Sequence, residues 1–149
     1  MANTLYDRAR KAFAKAEINW ETDDIRVALV TAAYVYDATH TSMASISAGQ
    51  TVPPSGSSSL QYYYALDTTT GSGYGVQTNG AVDADDATFT SVAAGTAAKA
   101  ILIYKYVDAT PGNCPVIAYL DSATGLPITP NGGDIIITWD NGTNKIFRL

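Results

Sequence analysis

The last sixteen residues of the chain, Asp134–Leu149, read DIIITWDNGTNKIFRL. A β-branched run leads to Trp139, Asn141-Gly142 follows, and a second apolar stretch closes the sequence. Asn-Gly is the preferred pair for a two-residue type I′ hairpin turn, because both central residues need a positive φ. The stretch therefore predicts a terminal β-hairpin built into a sheet, with Trp139 packed beside Ile135 and Ile137 on one face.

Short apolar runs separated by turn residues continue upstream of this hairpin. The run at 98–107 gives the strongest strand signal, and because both of its faces are apolar we expect a central strand. Loops are predicted at 48–59 and 68–75, and a short helical turn within 37–46. The other predicted strands are 25–31, 60–66, 76–82, 87–92 and 116–120. This spacing favours a mainly β fold, a single antiparallel β-sandwich or open barrel of about seven to nine strands.

One amphipathic helix is predicted at residues 4–17, where Leu5 and Phe13 anchor an apolar stripe. Asn3 or Thr4 can cap its start. The stripe is thin and mostly alanine, so we expect this N-terminal α-helix to lie on a surface and not to fill a core. That surface is either the chain's own sheet or a neighbouring subunit.

Composition describes one weakly charged domain. A length of 149 residues predicts a single β-rich domain, 1–149, with residues 1–20 as its N-terminal helical segment. Charged residues make up 15% of the chain, which leaves a surface rich in small polar groups. The formal net charge of −5 argues against nucleic acid and against an anionic membrane as partners, since both attract clustered Lys and Arg.

Cysteine content and the N-terminal sequence bear on the compartment. Cys114 is the only cysteine, so neither an intramolecular disulfide nor a multi-cysteine metal site can form. The first residues lack the basic and apolar regions of a signal peptide. We therefore expect synthesis in a cytoplasm without signal-directed export.

The search for catalytic chemistry finds no constellation. His40 is the only histidine, and it lies far in sequence from Cys114, so we interpret the first as a loop or cap residue and the second as a buried one. Two acidic clusters are candidates for a cation site or for a catalytic acid–base pair. We interpret both as solvated turns. They are Asp83, Asp85 and Asp86, and Glu21, Asp23 and Asp24. The sequence thus predicts no enzyme, no cofactor and no metal site.

Tyrosine is the conspicuous excess, with ten residues against three Phe and two Trp. Tyrosine buries a large area and keeps a polar tip, so it suits interfaces as well as partial cores. Both roles stay open for the run at 62–64. The candidate protein-interface residues are Leu5, Tyr6, Phe13, Tyr62, Tyr63, Tyr64 and Tyr74.

Several blocks of the chain resemble small virion structural proteins of tailed bacteriophages, including cyanophages. The blocks are AYLDSATGLPITPNGGDI at 118–135, TWDNG at 138–142, KIFRL at 145–149, LYD at 5–7, ARKAF at 9–13, INW at 18–20 and DIRVALV at 24–30, with the strand at 98–106. The stretch from about 44 to 80 is not covered.

The resemblance implies a capsid cement, or decoration, protein on the virion exterior. Such a protein binds the outer surface of an HK97-like shell, contacts the major capsid protein and copies of itself, and carries no catalytic residues. Similar small β-proteins also occur in tails and fibres. The alternative is therefore a tail or fibre component that binds host surface glycans through exposed aromatic side chains.

Overall fold

The structure is a computed structural model that describes residues 3–52, 60, 63–69 and 74–149. Its one α-helix is α1 (Asp7–Ala14). The strands are β1 (Thr4–Leu5), β2 (Asp24–Thr31), β3 (Thr51–Val52), β4 (Tyr64–Ala65), β5 (Gly75–Val76), β6 (Ala81–Asp83), β7 (Ala87–Phe89), β8 (Ala98–Tyr106), β9 (Val116–Leu120), β10 (Ile135–Ile137) and β11 (Phe147–Arg148). Short 3-10 turns occupy Met43–Ser45, Ala48–Gln50 and Pro111–Asn113.

The predicted mainly β fold with antiparallel sheets and an N-terminal helix is confirmed. The main sheet has the order β1-β9-β8-β2-β3, and β4 also pairs with β2. Every pairing between strands is antiparallel. β8 lies between β9 and β2, as its two apolar faces predict, and it is buried over most of its length. Eleven strands are described instead of seven to nine, because many have only two or three residues.

Two smaller sheets lie beside the main one. β7 pairs with β10, and β6 pairs with both β5 and β11. Apolar side chains from all three sheets form one buried core, in which Val27 and Ile103 are fully buried cross-strand partners of the main sheet. Trp139, Ile135 and Ile137 belong to this core while Ile136 is exposed, so the predicted shared face is confirmed.

The predicted terminal hairpin is wrong. β10 pairs with β7 and β11 pairs with β6, so the two strands flanking Asn141-Gly142 do not pair with each other. β10 and β11 instead pair antiparallel with two different strands of segment 81–89, and the Asn-Gly pair lies in the stretch that connects them. Neither Asn141 nor Gly142 has the positive φ that a type I′ turn requires.

The Asn-Gly pair that does close a hairpin is Asn79-Gly80. It joins β5 to β6, where one continuous strand at 76–82 was predicted. Gln77 donates to the carbonyl of Ala81 at 2.7 Å, and Gly80 adopts a φ of 81°. A three-residue hairpin loop that ends in a left-handed residue has this geometry, and glycine adopts it without strain.

The N-terminal helix is shorter than predicted and begins later. Thr4 and Leu5 form a strand against β9, so the helix starts at Asp7 with Tyr6 at its cap and no side-chain capping bond. It ends in a Schellman motif, in which Glu17 donates to the carbonyl of Ala12 and Ala16 takes a φ of 56°. Ala9 and Ala12 are buried, so the helix packs on its own chain.

Three other boundaries changed. The loop predicted at 48–59 contains a short strand, β3, and the strand predicted at 60–66 is described as a strand only at β4. The helical turn predicted within 37–46 is confined to Met43–Ser45. Within the described ranges, no helix has the length and hydropathy that a bilayer crossing requires.

Candidate interaction surfaces

Four of the ten tyrosines form a core cluster. The rings of Tyr6 and Tyr36 lie 5.0 Å apart, and those of Tyr36 and Tyr119 lie 5.3 Å apart. The hydroxyls of Tyr6 and Tyr34 are hydrogen-bonded at 2.6 Å, and the Tyr34 hydroxyl also contacts His40 Nδ1 at 2.9 Å. Tyr6 is fully buried, so its assignment to an interface is corrected: it cannot reach a partner in this conformation.

Burial controls the chemistry of this cluster. It raises the pKa of Tyr34 to about 12 and that of Tyr6 further, so both phenols stay neutral well above the pH at which a free tyrosine ionises. His40 lies in a loop, as predicted, and is half-buried against the Tyr34 ring. The cluster therefore accounts for much of the tyrosine excess as packing.

The tyrosine run at 62–64 divides between different environments. Tyr62 lies outside the described residues. Tyr63 is 41% exposed, whereas Tyr64 is half-buried and donates its hydroxyl proton to Asp85 at 2.7 Å. That hydrogen bond raises the pKa of Tyr64 to about 12. Tyr74 is half-buried at the start of β5. Of the predicted tyrosines that the structure describes, only Tyr63 presents a large exposed ring.

Arg26 fixes the position of Tyr63. The guanidinium carbon lies 3.8 Å from the Tyr63 ring centroid and 3.4 Å from that of Tyr106, and the group also forms two-nitrogen contacts with Asp24. Such a cation–π contact favours this position of an exposed aromatic ring by about 0.5–1 kcal/mol. The neighbouring Tyr104 is fully buried, and its hydroxyl has no hydrogen-bond partner among the described residues.

The acidic turn at 83–86 is not the solvated turn that was predicted. Asp83 is buried, and its carboxylate pairs with Lys145 at 3.2 Å. The carboxylate of Asp86 accepts the backbone N–H of Trp139 at 3.1 Å. The three carboxylates therefore bind separate protein groups from the sheets around them and do not converge.

The second acidic cluster is largely exposed, as predicted. Asp23 pairs with Lys105 at 2.9 Å, and Glu21 accepts the backbone N–H of Val76 at 3.1 Å. Cys114 is buried just before β9, as predicted. Among the described residues, no group of three His, Cys, Asp or Glu side chains is arranged to hold a metal ion.

The first interaction surface is a groove of about 360 Å³ between α1 and β11. Phe13 is half-buried there, and Leu5 is 8% exposed, so Leu5 contributes only to the floor of the groove. The complete lining is Leu5, Arg10, Phe13, Ala14, Arg148 and Leu149. We call this the terminal groove, because residues near both ends of the sequence form it.

The terminal groove is basic, although the chain is acidic. Four of the nine Lys and Arg residues lie at Arg8, Arg10, Lys11 and Lys15, and all four are exposed. Of these four, Arg10 lines the groove, and Arg148 lines it from the opposite wall. The basic residues of this groove were not among the predicted interface residues. Their signal was nevertheless visible, since 8–15 is the only dense run of cations in the sequence.

The second interaction surface is a larger cavity of about 590 Å³ between the main sheet and β10. Its apolar lining includes Leu29, Ile101 and Leu120 from the main sheet, with Ile137 and Trp139 opposite. Residues 122–126, which follow β9, form another wall. None of these residues was predicted at a binding surface, because the apolar ones have the pattern of core positions and 122–126 has that of a turn.

No protein-family model matches the chain, and comparison with curated proteins and with solved structures gives no significant match. The resemblance to phage virion proteins therefore stays a prediction, as do the absence of enzymatic activity and the virion location.

Proposed function

We propose that this protein is a capsid cement protein of a tailed bacteriophage, non-enzymatic, that binds the outer surface of the major capsid shell through its terminal groove. Self-association between neighbouring copies on the shell is part of the proposal. The proposal needs a rigid module, a surface for a protein partner and a repeating lattice that multiplies weak contacts.

The observation that carries the proposal is the convergence of the two chain ends. The blocks 9–13 and 145–149, which both resemble phage virion proteins, meet in the terminal groove. The rings of Phe13 and Phe147 lie 6.2 Å apart, and Trp20 packs edge-on to Phe147 at 5.3 Å. Sequence features distant in the chain are thus brought together at one accessible surface, as expected for a shared binding role.

The chemistry of the terminal groove defines the partner surface. Phe13 and Leu149 supply an apolar floor, and Arg10 and Arg148 supply charge on both walls. A matching surface presents an apolar side chain flanked by Asp or Glu. Contacts of this kind are weak singly, and a capsid lattice makes them effective in number.

The experiment is co-sedimentation of the purified protein with capsid shells of the encoding phage from which it has been removed. We expect the wild-type protein to saturate a fixed number of sites on each shell and to raise the temperature at which the shells rupture. Arg10→Glu reverses one wall of the groove and should weaken binding at least severalfold. Lys99→Glu, at an exposed position of β8, is the matched control and should bind like wild type.

Two results would count against the proposal. Wild type that does not sediment with shells, or that binds without changing their thermal rupture, is incompatible with a cement role. If both charge variants lose binding equally, the effect is not specific to the terminal groove, and the groove is not the surface that contacts the shell.

Exposure of Tyr63 favours the second candidate function, a tail or fibre component that binds host glycans. A ring held by Arg26 is a suitable stacking platform for a sugar. Immunogold labelling of virions distinguishes the two proposals, because the cement role places label on the head and the alternative places it on the tail. Binding to host glycans that is abolished by Tyr63→Ala would support the alternative.

A further inference from the structure

We propose that the outer edge of β10 and the cavity beside it form a docking site for an extended segment of another protein. The segment adds a strand to β10, inserts apolar side chains into the cavity and carries Lys or Arg at its flanks. This inference goes beyond the capsid proposal and does not depend on it.

The first observation is an unused strand edge. β10 pairs with β7 on one side, and within the described residues it has no partner on the other. Ile136 is 65% exposed in the middle of the strand. An uncovered edge offers a row of backbone donors and acceptors to an incoming strand, and natural proteins normally protect such edges with charge, proline or a covering segment.

The second observation is the cavity next to that edge. Residues 135–140 all line it, and the alternate residues Ile135, Ile137 and Trp139 are the buried ones, so their side chains form its apolar wall. A strand added to the outer edge would place its own alternate side chains toward the same space. The volume of about 590 Å³ falls in the range of ordinary ligand sites.

Charge decides between possible occupants. Asp134 and Asp140 flank β10, both are exposed, and neither forms an ion pair with a described residue. A second copy pairing antiparallel about Ile137 would set Asp134 against Asp140 twice, which is unfavourable. Lys145, which also lines the cavity, is already paired with Asp83. The flanking carboxylates therefore favour a partner segment with basic ends.

The test uses two synthetic, end-capped heptapeptides, Lys-Val-Thr-Val-Thr-Val-Lys and its counterpart with Asp at both ends. Binding to the full chain is followed by NMR, through the amide shifts of 135–139, the Trp139 indole signal and hydrogen exchange in β10. We expect the Lys peptide to perturb these signals, to slow β10 amide exchange and to bind about tenfold more tightly than the Asp peptide.

A matched pair of variants tests the charge argument. Asp140→Asn keeps the side-chain oxygen that accepts the Gly142 N–H at 3.0 Å and removes the charge. Asp37→Asn does the same in an equivalent turn, where the oxygen accepts the Thr39 N–H at 2.8 Å. We expect the Lys peptide to bind about two- to fivefold more weakly to the first variant and unchanged to the second.

Three results would overturn the inference. The first is that neither peptide perturbs β10 at millimolar concentration. The second is that the perturbed signals lie outside 135–139 and the cavity walls. The third is that the free chain is a dimer whose β10 amides are already protected. Because the shell co-sedimentation assay uses no peptide, failure here leaves the cement proposal separately testable.

Discussion

Replacing Gly80 and Gly142 by alanine, one at a time, distinguishes the observed hairpin from the one that the sequence predicts. Gly80 has a φ of 81°, and an added Cβ would lie 3.3 Å from the carbonyl oxygen of Leu149. Gly142 has no positive φ, and the three atoms nearest its Cβ all belong to the carboxylate of Asp140, 2.8 Å away at the end of an exposed side chain that accepts the Gly142 N–H.

The expected magnitudes follow from these geometries. Alanine at a left-handed position costs about 1–2 kcal/mol, and the close approach to Leu149 adds to that cost at Gly80. At Gly142 the Asp140 side chain can move at the cost of one exposed hydrogen bond, and the reduced entropy of the unfolded chain offsets about 0.4–1 kcal/mol of that cost. We therefore expect Gly80→Ala to lose about 1–2 kcal/mol and Gly142→Ala to change stability by less than about 0.5 kcal/mol.

Urea unfolding followed by tryptophan fluorescence measures both variants. With a slope of about 2 kcal/mol per molar, Gly80→Ala should lower the midpoint by about 0.5–1 M, and Gly142→Ala should leave it nearly unchanged. Gly112→Ala, where the added Cβ meets nothing within 4 Å, gives the baseline for the unfolded-state effect. If Gly142→Ala is the more damaging change, Asn141-Gly142 forms the tight turn and the strand pairing described above is incorrect.

Three further predictions concern single side chains. Ala16→Gly should stabilise the chain by about 1 kcal/mol, because it relieves the left-handed helix end, and thermal melting measures this; an unchanged or lower Tm would contradict that geometry. Tyr104→Phe should raise stability by about 1 kcal/mol, because it removes a buried hydroxyl without a described partner. Tyr6→Phe deletes a buried hydrogen bond and should lower stability by a similar amount. Urea unfolding measures both variants, and a change of the same sign in both would refute this account. The folded-state pKa of Tyr64 is raised from 10.0 to about 12, so its contribution to the free energy of unfolding should be complete below pH 10 and decline between pH 10 and 12. Tyr64→Phe should therefore flatten that part of a pH–stability curve. An unchanged curve would show that the hydrogen bond to Asp85 is absent.

The long central strands could be predicted from the sequence. β2 and β8 have apolar residues on both faces, and a strand of eight or nine such residues has few alternatives in an antiparallel domain. The burial of Cys114 and the shared face of Trp139 with Ile137 also follow from local pattern.

The hairpins could not be assigned correctly because the same dipeptide occurs twice. Asn79-Gly80 and Asn141-Gly142 carry equal local preference for a turn. What separates them is the non-local pairing of β10 with β7 and of β11 with β6, which pulls the strands around Asn141-Gly142 apart. The local sequence around a turn does not reveal which distant strand each flanking segment pairs with.

The candidate surfaces were predicted only in part. Phe13 was identified from the helix pattern. Tyr6, seven residues earlier, was assigned to an interface, because a tyrosine beside a short amphipathic stripe can face either the core or a partner. Its burial depends on Tyr34 and Tyr36, which approach only in the folded chain. The cavity beside β10 has no sequence signal of its own, since its lining combines apolar residues that look like core positions with an ordinary turn at 122–126.

A reconstruction of virions of the tailed phage that we propose encodes this chain tests the central claim most directly. The account predicts density for this β-rich module on the outer surface of the shell, repeated with the capsid symmetry, with α1 and β11 facing the capsomers. Density for the module only on the tail, or virions that contain no copy of it, would contradict the account.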